Sequence, residues 1–208
     1  MTLARFLLAA IILASGPALA QTGDYRRLQL SYGISLEVPT HWTILSQSTR
    51  NNLQAAGRAI TENAGLEGSN GGKENLLAVN AAPAPTGAMI RVSVTRPPDY
   101  SQADLALATQ ADLKDLASEL LMNFKRMEAS GGPKIIQIQP ARIEVHNKYR
   151  VLVLPYTRHD NVGPSAWQVT QYKIPLEDRL IEVTLSHRES DAVVWRPILE
   201  KVRRSILF

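Results

Sequence analysis

Apolar and polar residues alternate along most of this chain, and the period of alternation switches between two and about 3.6. Residues 25–31 and 34–38 alternate as half-buried strands do, with Gly33 as the bend between them. Pro39 lacks a ladder donor and ends the second strand, and residues 42–45 are a short apolar run that resumes it. Residues 48–64 take the helical period instead, with Leu53, Ala56, Gly57, Ile60 and Ala64 on one face. Ser48 or Thr49 is placed to cap this helix and Gly65 to end it. A glycine-rich loop, residues 65–74, follows.

Residues 75–81 and 88–95 read as strands joined by a proline-stiffened connection. In the second, Ile90, Val92 and Val94 alternate with Arg91, Ser93 and Thr95, which predicts one buried face. The longest helix is expected over residues 101–129, capped by Ser101 with Asp104 in its first turn. Its apolar stripe is Leu105, Leu113, Leu116, Leu120, Phe124 and Met127, and Gly131-Gly132-Pro133 ends it.

Residues 134–139, 141–146, 149–159, 166–174 and 179–187 then read as successive strands. Asn147-Lys148 fits a tight hairpin turn, with further turns at residues 160–164 and 175–178. Connections this short imply antiparallel neighbours. In the last strand Ile181, Val183 and Leu185 oppose Glu182, Thr184 and Ser186. A closing helix, from Ser190 or Trp195 to Leu207, would bury Ile198, Leu199, Val202 and Ile206. This order predicts an α+β fold, an antiparallel β-sheet flanked by helices in a layered α/β/α sandwich.

The first twenty residues have a different character. Arg5, the apolar run 6–14, the breakers Gly16-Pro17 and the small-x-small Ala18-Leu19-Ala20 form a secretory signal pattern. Cleavage is expected between Ala20 and Gln21, leaving residues 21–208 as a single exported domain, periplasmic or secreted. The apolar run is too short for a bilayer span, which needs about 20 residues.

Composition narrows the function classes. Hydrophobic residues make up 45% and charged residues 20%, which excludes disordered and collagen-like chains. The absence of cysteine removes disulfides, thiolate metal sites, a cysteine nucleophile and a lipid-anchor cysteine. Without Arg5 the 23 basic residues become 22 against 19 acidic, a dispersed excess of three. A nucleic-acid partner would call for a concentrated basic face.

Segments that imitate catalytic motifs fail on their spacing. Residues 68–74 imitate a phosphate loop, but Glu67 stands where its first glycine belongs and Glu74 where magnesium needs a hydroxyl. Residues 163–167 lack the second glycine of a nucleophile elbow. No His-Glu-x-x-His pair is present. Among the histidines, His41 follows a strand end, and His146 and His159 lie at opposite ends of one hairpin arm. His159 and His187 end strands that run parallel in a meander, with Asp160 beside them. They are candidate metal ligands if their side chains share a face, against the plainer reading of two unrelated surface histidines.

The segment Gly33-Ile34-Ser35-Leu36-Glu37-Val38-Pro39-Thr40-His41-Trp42 resembles the opening of PsbP/Mog-type domains. Residues 180–186, Pro197-Ile198-Leu199 and Arg204-Ser205-Ile206 resemble that family's last strand and helix. The family includes extrinsic photosystem proteins, a nuclear GTPase-binding protein and DcrB-like bacterial envelope proteins. The resemblance implies a layered fold around an antiparallel sheet and a non-catalytic binding role without cofactor. With the signal pattern, it points to the DcrB-like envelope branch and to an accessory module that binds an envelope protein. Many exported relatives carry a lipid anchor, which a chain without cysteine cannot. A small-ligand or divalent-metal module is the alternative, and an enzyme of unrecognised type the third.

Overall fold

A computed structural model of the chain describes residues 24–66, 72–160 and 165–208. The expected signal segment with its Ala20–Gln21 junction, residues 67–71 of the glycine-rich loop and residues 161–164 of one turn lie outside the described residues.

Strands β1 (Tyr25–Gln29) and β2 (Ser35–Pro39) pair as an antiparallel ribbon, joined by a 3-10 turn at Ser31–Gly33. Gly33 adopts φ 74°, which side chains resist, and so serves as the bend. After β3 (Thr43–Ile44) come α1 (Gln47–Asn63), β4 (Gly72–Asn80), β5 (Ala88–Arg96), α2 (Gln102–Leu107) and α3 (Gln110–Ala129). Five strands follow: β6 (Ile135–Ile138), β7 (Arg142–His146), β8 (Tyr149–His159), β9 (Ala166–Pro175) and β10 (Leu180–Arg188). Helix α4 (Ala192–Arg204) closes the chain.

The main sheet has the order β3-β4-β5-β10-β9-β8-β6, with β7 pairing the other half of β8. Every pair is antiparallel. The turn between β7 and β8 is tight because Asn147 and Lys148 both take positive φ, 47° and 68°. The expected α+β layered architecture is the one observed.

Alternation gives the sheet two unlike faces. The first carries Val79, Ile90, Val92, Val94, Val153, Ile181 and Val183, all at most 1% exposed. Ribbon β1–β2 covers it with Ile34, Leu36 and Val38, and α4 with Leu199, Val202 and the adjoining Ile206. Each such aliphatic side chain contributes roughly 1.5–3 kcal/mol on burial. Trp42 meets Trp195 edge-on here, ring centroids 5.8 Å apart, beside Gly87.

The second face is apolar only on its β8 side. Leu152 and Leu154 pack against Leu105 and Leu113, while Tyr156, Trp167 and Val169 pack against Phe124. Helices α2 and α3 therefore sit over β8 and β9.

Three local expectations are corrected. The long helix is two helices: Thr109 opens α3 with its own capping box, its hydroxyl receiving Asp112 N–H while the Asp112 carboxylate receives Thr109 N–H. Helix α1 is capped by Ser46, two residues ahead of the expected Ser48, and its side chain receives Thr49 N–H at 3.2 Å. Gly72, Lys73 and Glu74 belong to β4 rather than to the preceding loop.

Candidate functional site

Side chains on a strand point alternately to opposite faces. With Ile90, Val92 and Val94 committed to the core, β5 must send Arg91, Ser93 and Thr95 to the second face. By the same rule β10 sends Glu182 and Thr184 there. The register sets Ser93 opposite Glu182, and Glu182 opposite Lys173 of β9. Lys73 of β4 stands opposite Thr95. The middle of this face is polar where its β8 side is oily.

Helices α1 and α3 flank that polar strip and leave a cleft of about 810 Å³ between them. This is within the usual range for small-molecule sites, about 300–1,000 Å³. Arg91, Ser93, Thr95, Lys173, Glu182 and Thr184 form the floor. Leu53, Gly57 and Ile60 of α1 form one wall, and Phe124 and Met127 of α3 the other. The apolar stripe expected on α1 is therefore present, but it faces the cleft and not a core. None of the helix's 17 residues is buried, and Leu53 is 51% exposed. Ser93 and Thr95 are 5% and 7% exposed, so their hydroxyls lie deep. A more polar recess of about 460 Å³ lies alongside and shares Arg50, Gln54, Lys73 and Asn75 with the cleft.

The floor is electrostatically lopsided. Glu182 takes Lys73 Nζ at 3.0 Å and Lys173 Nζ at 3.3 Å. Burial pushes its carboxyl up, but Lys173 and Lys73 outweigh burial and hold it below the usual value. Among the described residues, Arg91 has no such partner. Its Nη1 donates to the carbonyls of Val79 and Ile90, each at 2.9 Å, and its Nη2 to Asn80 Oδ1 at 2.8 Å. All of these acceptors are neutral. Burial lowers Arg91 to about 10, so the guanidinium stays charged at neutral pH. Arg91, Lys73 and Lys173 thus face one carboxylate, an excess of two positive charges. At the rim Arg50 and Arg58 balance Glu62 and Asp99.

Two tyrosines stand near Glu182. Burial, then Glu182 and Asp99, push Tyr100 up, and its buried hydroxyl has no hydrogen-bond partner. Burial pushes Tyr156 up to about 12. Both remain protonated at neutral pH.

The histidines lie elsewhere. His159 and His187 do share a face, the opposite one from the cleft, since His187 pairs with Gln168 and His159 with Ala166. The register staggers them by two residues across β9, which puts their Cα atoms about 12 Å apart on standard strand spacings. His187 is 7% exposed and its Nδ1 donates to Arg188 O at 2.8 Å. Trp167 is on the other face, between Arg158 and Arg188. Among the described residues, no three His, Asp or Glu side chains come together as a metal set, so His159, Asp160 and His187 are not brought into one. His146 bonds Ile206 O at 2.9 Å, and His41 is exposed after β2.

The sequence does not single out the cleft residues, because alternating polar positions read as a solvent face. One signal was available. The polar sets of β5 and β10 both fall on the face that the amphipathic helices must cover.

No family model matches the chain, and no curated protein does. Among solved structures, the cyanobacterial PsbP of Synechocystis sp. PCC 6803 is similar over 94% of this chain and 98% of its own, at 14% identity and TM-score 0.53. LpqN, involved in cell envelope biogenesis of Mycobacterium tuberculosis, aligns over 88% of this chain and 89% of its own, at 11% identity and TM-score 0.46. The first likeness shows the fold: the chain is PsbP-like in architecture.

Proposed function

We propose that this chain is an exported, non-catalytic binding module of the cell envelope that holds a small anionic ligand in the cleft between α1 and α3. One observation carries the reading. Arg91, a half-buried guanidinium with only neutral acceptors, lies on the floor of a cleft large enough for a small molecule. A buried charge without a counter-charge is costly, and an incoming carboxylate or phosphate relieves that cost. The non-catalytic part is supported by the position of the histidines. None of the four lines the cleft, so the floor hydroxyls have no imidazole base to activate them.

A thermal-shift panel of carboxylates and phosphate esters, run on residues 21–208 and on an Arg91→Gln variant, tests this. At least one anion is expected to raise the melting temperature of the parent and not of the variant. A flat panel for the parent overturns the reading.

The envelope assignment rests on the signal pattern and on the resemblance to DcrB-like proteins. Mass spectrometry of the envelope fraction is expected to find Gln21 as the first residue. Within this reading the module is an accessory to an envelope protein, which affinity capture from envelope extracts would identify.

A further inference from the structure

We infer that the ligand of this cleft is a single-tailed amphiphile, its anionic head on the Arg91 floor and its apolar tail between α1 and α3. The inference rests on the anion-site reading and adds the class of ligand.

The walls and the floor ask for opposite chemistries. The floor carries three cations and one carboxylate. The walls carry Leu53, Ile60, Phe124 and Met127. A small hydrophilic anion would satisfy the floor and leave the open part of the apolar walls, Leu53 above all, facing water. A neutral hydrocarbon would do the reverse and strand Arg91. Only a molecule with both parts matches both surfaces.

Helix α1 makes the same point. It is amphipathic, yet none of its side chains is fully buried, and Leu53 in the middle of its apolar stripe is 51% exposed. Amphipathic helices in folded domains normally bury that stripe. The two ends of the helix are held. Arg50 Nη1 donates to Leu45 O at 2.9 Å near the start, and Ile60 Cγ2 lies 3.0 Å from where a Cβ on Gly132 would sit, near the end. Between these anchors the stripe stands off from α3.

Gly57 lies in that gap, and a Cβ built there meets nothing within 4 Å. Alanine would suit a helix interior better. Glycine here leaves room at the middle of the wall, between Leu53 and Ile60, about 10 Å apart along the axis at 1.5 Å per residue. A linear tail of medium length fits such a slot.

The test is calorimetric titration of residues 21–208 with hexanoate, octanoate and decanoate below their micellar concentrations, and with octan-1-ol. Affinity is expected to rise about fourfold per added methylene, from about 0.8 kcal/mol per buried CH₂. Octan-1-ol should bind at least tenfold more weakly than octanoate. Arg91→Gln should erase that difference. Gly57→Phe should flatten the chain-length dependence. Because Gly57→Phe could perturb α1, hydrogen exchange on the parent gives a second readout: decanoate should protect the α1 amides more than hexanoate does. Equal affinities along the series, with binding still dependent on Arg91, overturn the amphiphile and keep the anion site. Octan-1-ol binding as tightly as octanoate overturns the assigned head group. Binding by none of the acids, with the thermal-shift panel also flat, overturns both readings.

Discussion

Arg91 and Glu182 lie diagonally on adjacent strands and do not pair. The register sets Arg91 opposite Thr184 and Glu182 opposite Ser93, one step along. Glu182 is taken by Lys73 and Lys173, while Arg91 turns to Val79, Ile90 and Asn80. Opposite charges at diagonal positions, about 7–8 Å apart or somewhat less between Cβ atoms, are within reach of long side chains. Their separation keeps a cation on the cleft floor unneutralised.

Removing the carboxylate exposes this balance. Glu182→Gln leaves Lys73 and Lys173 facing one another without their counter-ion. It is expected to destabilise the fold by about 1–3 kcal/mol, read from urea unfolding at neutral pH. The lysines are 43% and 25% exposed and can rehydrate, which keeps the loss below that of a fully buried pair. Anion affinity should rise in the same variant, since the floor gains positive charge.

Gly57→Ala should act in the other direction. The position is helical, φ is unremarkable and the added methyl meets open space. A gain of about 0.5–1 kcal/mol is expected in equilibrium unfolding. A loss instead would place the Cβ against atoms that α1 does not meet in this structure.

The break between α2 and α3 predicts a cap effect. Thr109→Ala removes the acceptor for Asp112 N–H and half of a reciprocal box. About 1 kcal/mol should be lost, with the first-turn amides of α3 exchanging faster. If 101–129 were one continuous helix, alanine at this position would stabilise it.

The first sheet face is intolerant of charge. Val202, on α4, is 0% exposed against the sheet core. Val202→Asp should cost about 3–5 kcal/mol, the size expected for an uncompensated buried charge. Val193, at the outer side of the same helix and 90% exposed, should accept aspartate with little change in melting.

Stability should depend on pH near neutrality through His187. Burial lowers its value below the ordinary 6.5, so the unfolded chain takes up the proton first. The native state then binds fewer protons, and stability falls as pH drops below about 6.5, down to the folded value. His187→Gln should flatten that part of the pH–stability curve. Glu182 adds a second slope: its contribution is complete above the ordinary carboxylate value of 4.5 and is lost as pH falls through its lower folded value.

The legible part of the chain was the part where burial and periodicity agree. Ile181, Val183 and Leu185 declare a strand with one core face, and Asn147-Lys148 declares its turn through the conformations those residues tolerate. Thr109-x-x-Asp112 was just as readable, but an unbroken apolar stripe from Leu105 to Met127 hid it. The cleft was hidden for another reason. Arg91, Ser93 and Thr95 look the same in a sequence whether they meet bulk water or an enclosed polar floor. Only the placement of α1 and α3 over them separates the two cases. The pairing of β5 with β10, which brings Arg91 and Glu182 onto one floor, joins residues 91 positions apart in the sequence and leaves no local trace.

The two faces of the sheet divide its duties. The aliphatic core lies on the side of α4 and the ribbon, and the cleft lies on the side of α1. Because no side chain of α1 is fully buried, its inward residues can be exchanged without opening a void beneath the sheet. A new wall can therefore be written onto an old foundation. Variation at Leu53, Gly57 and Ile60 would retune which molecules are admitted, while the scaffold that holds Arg91 in place carries on unchanged.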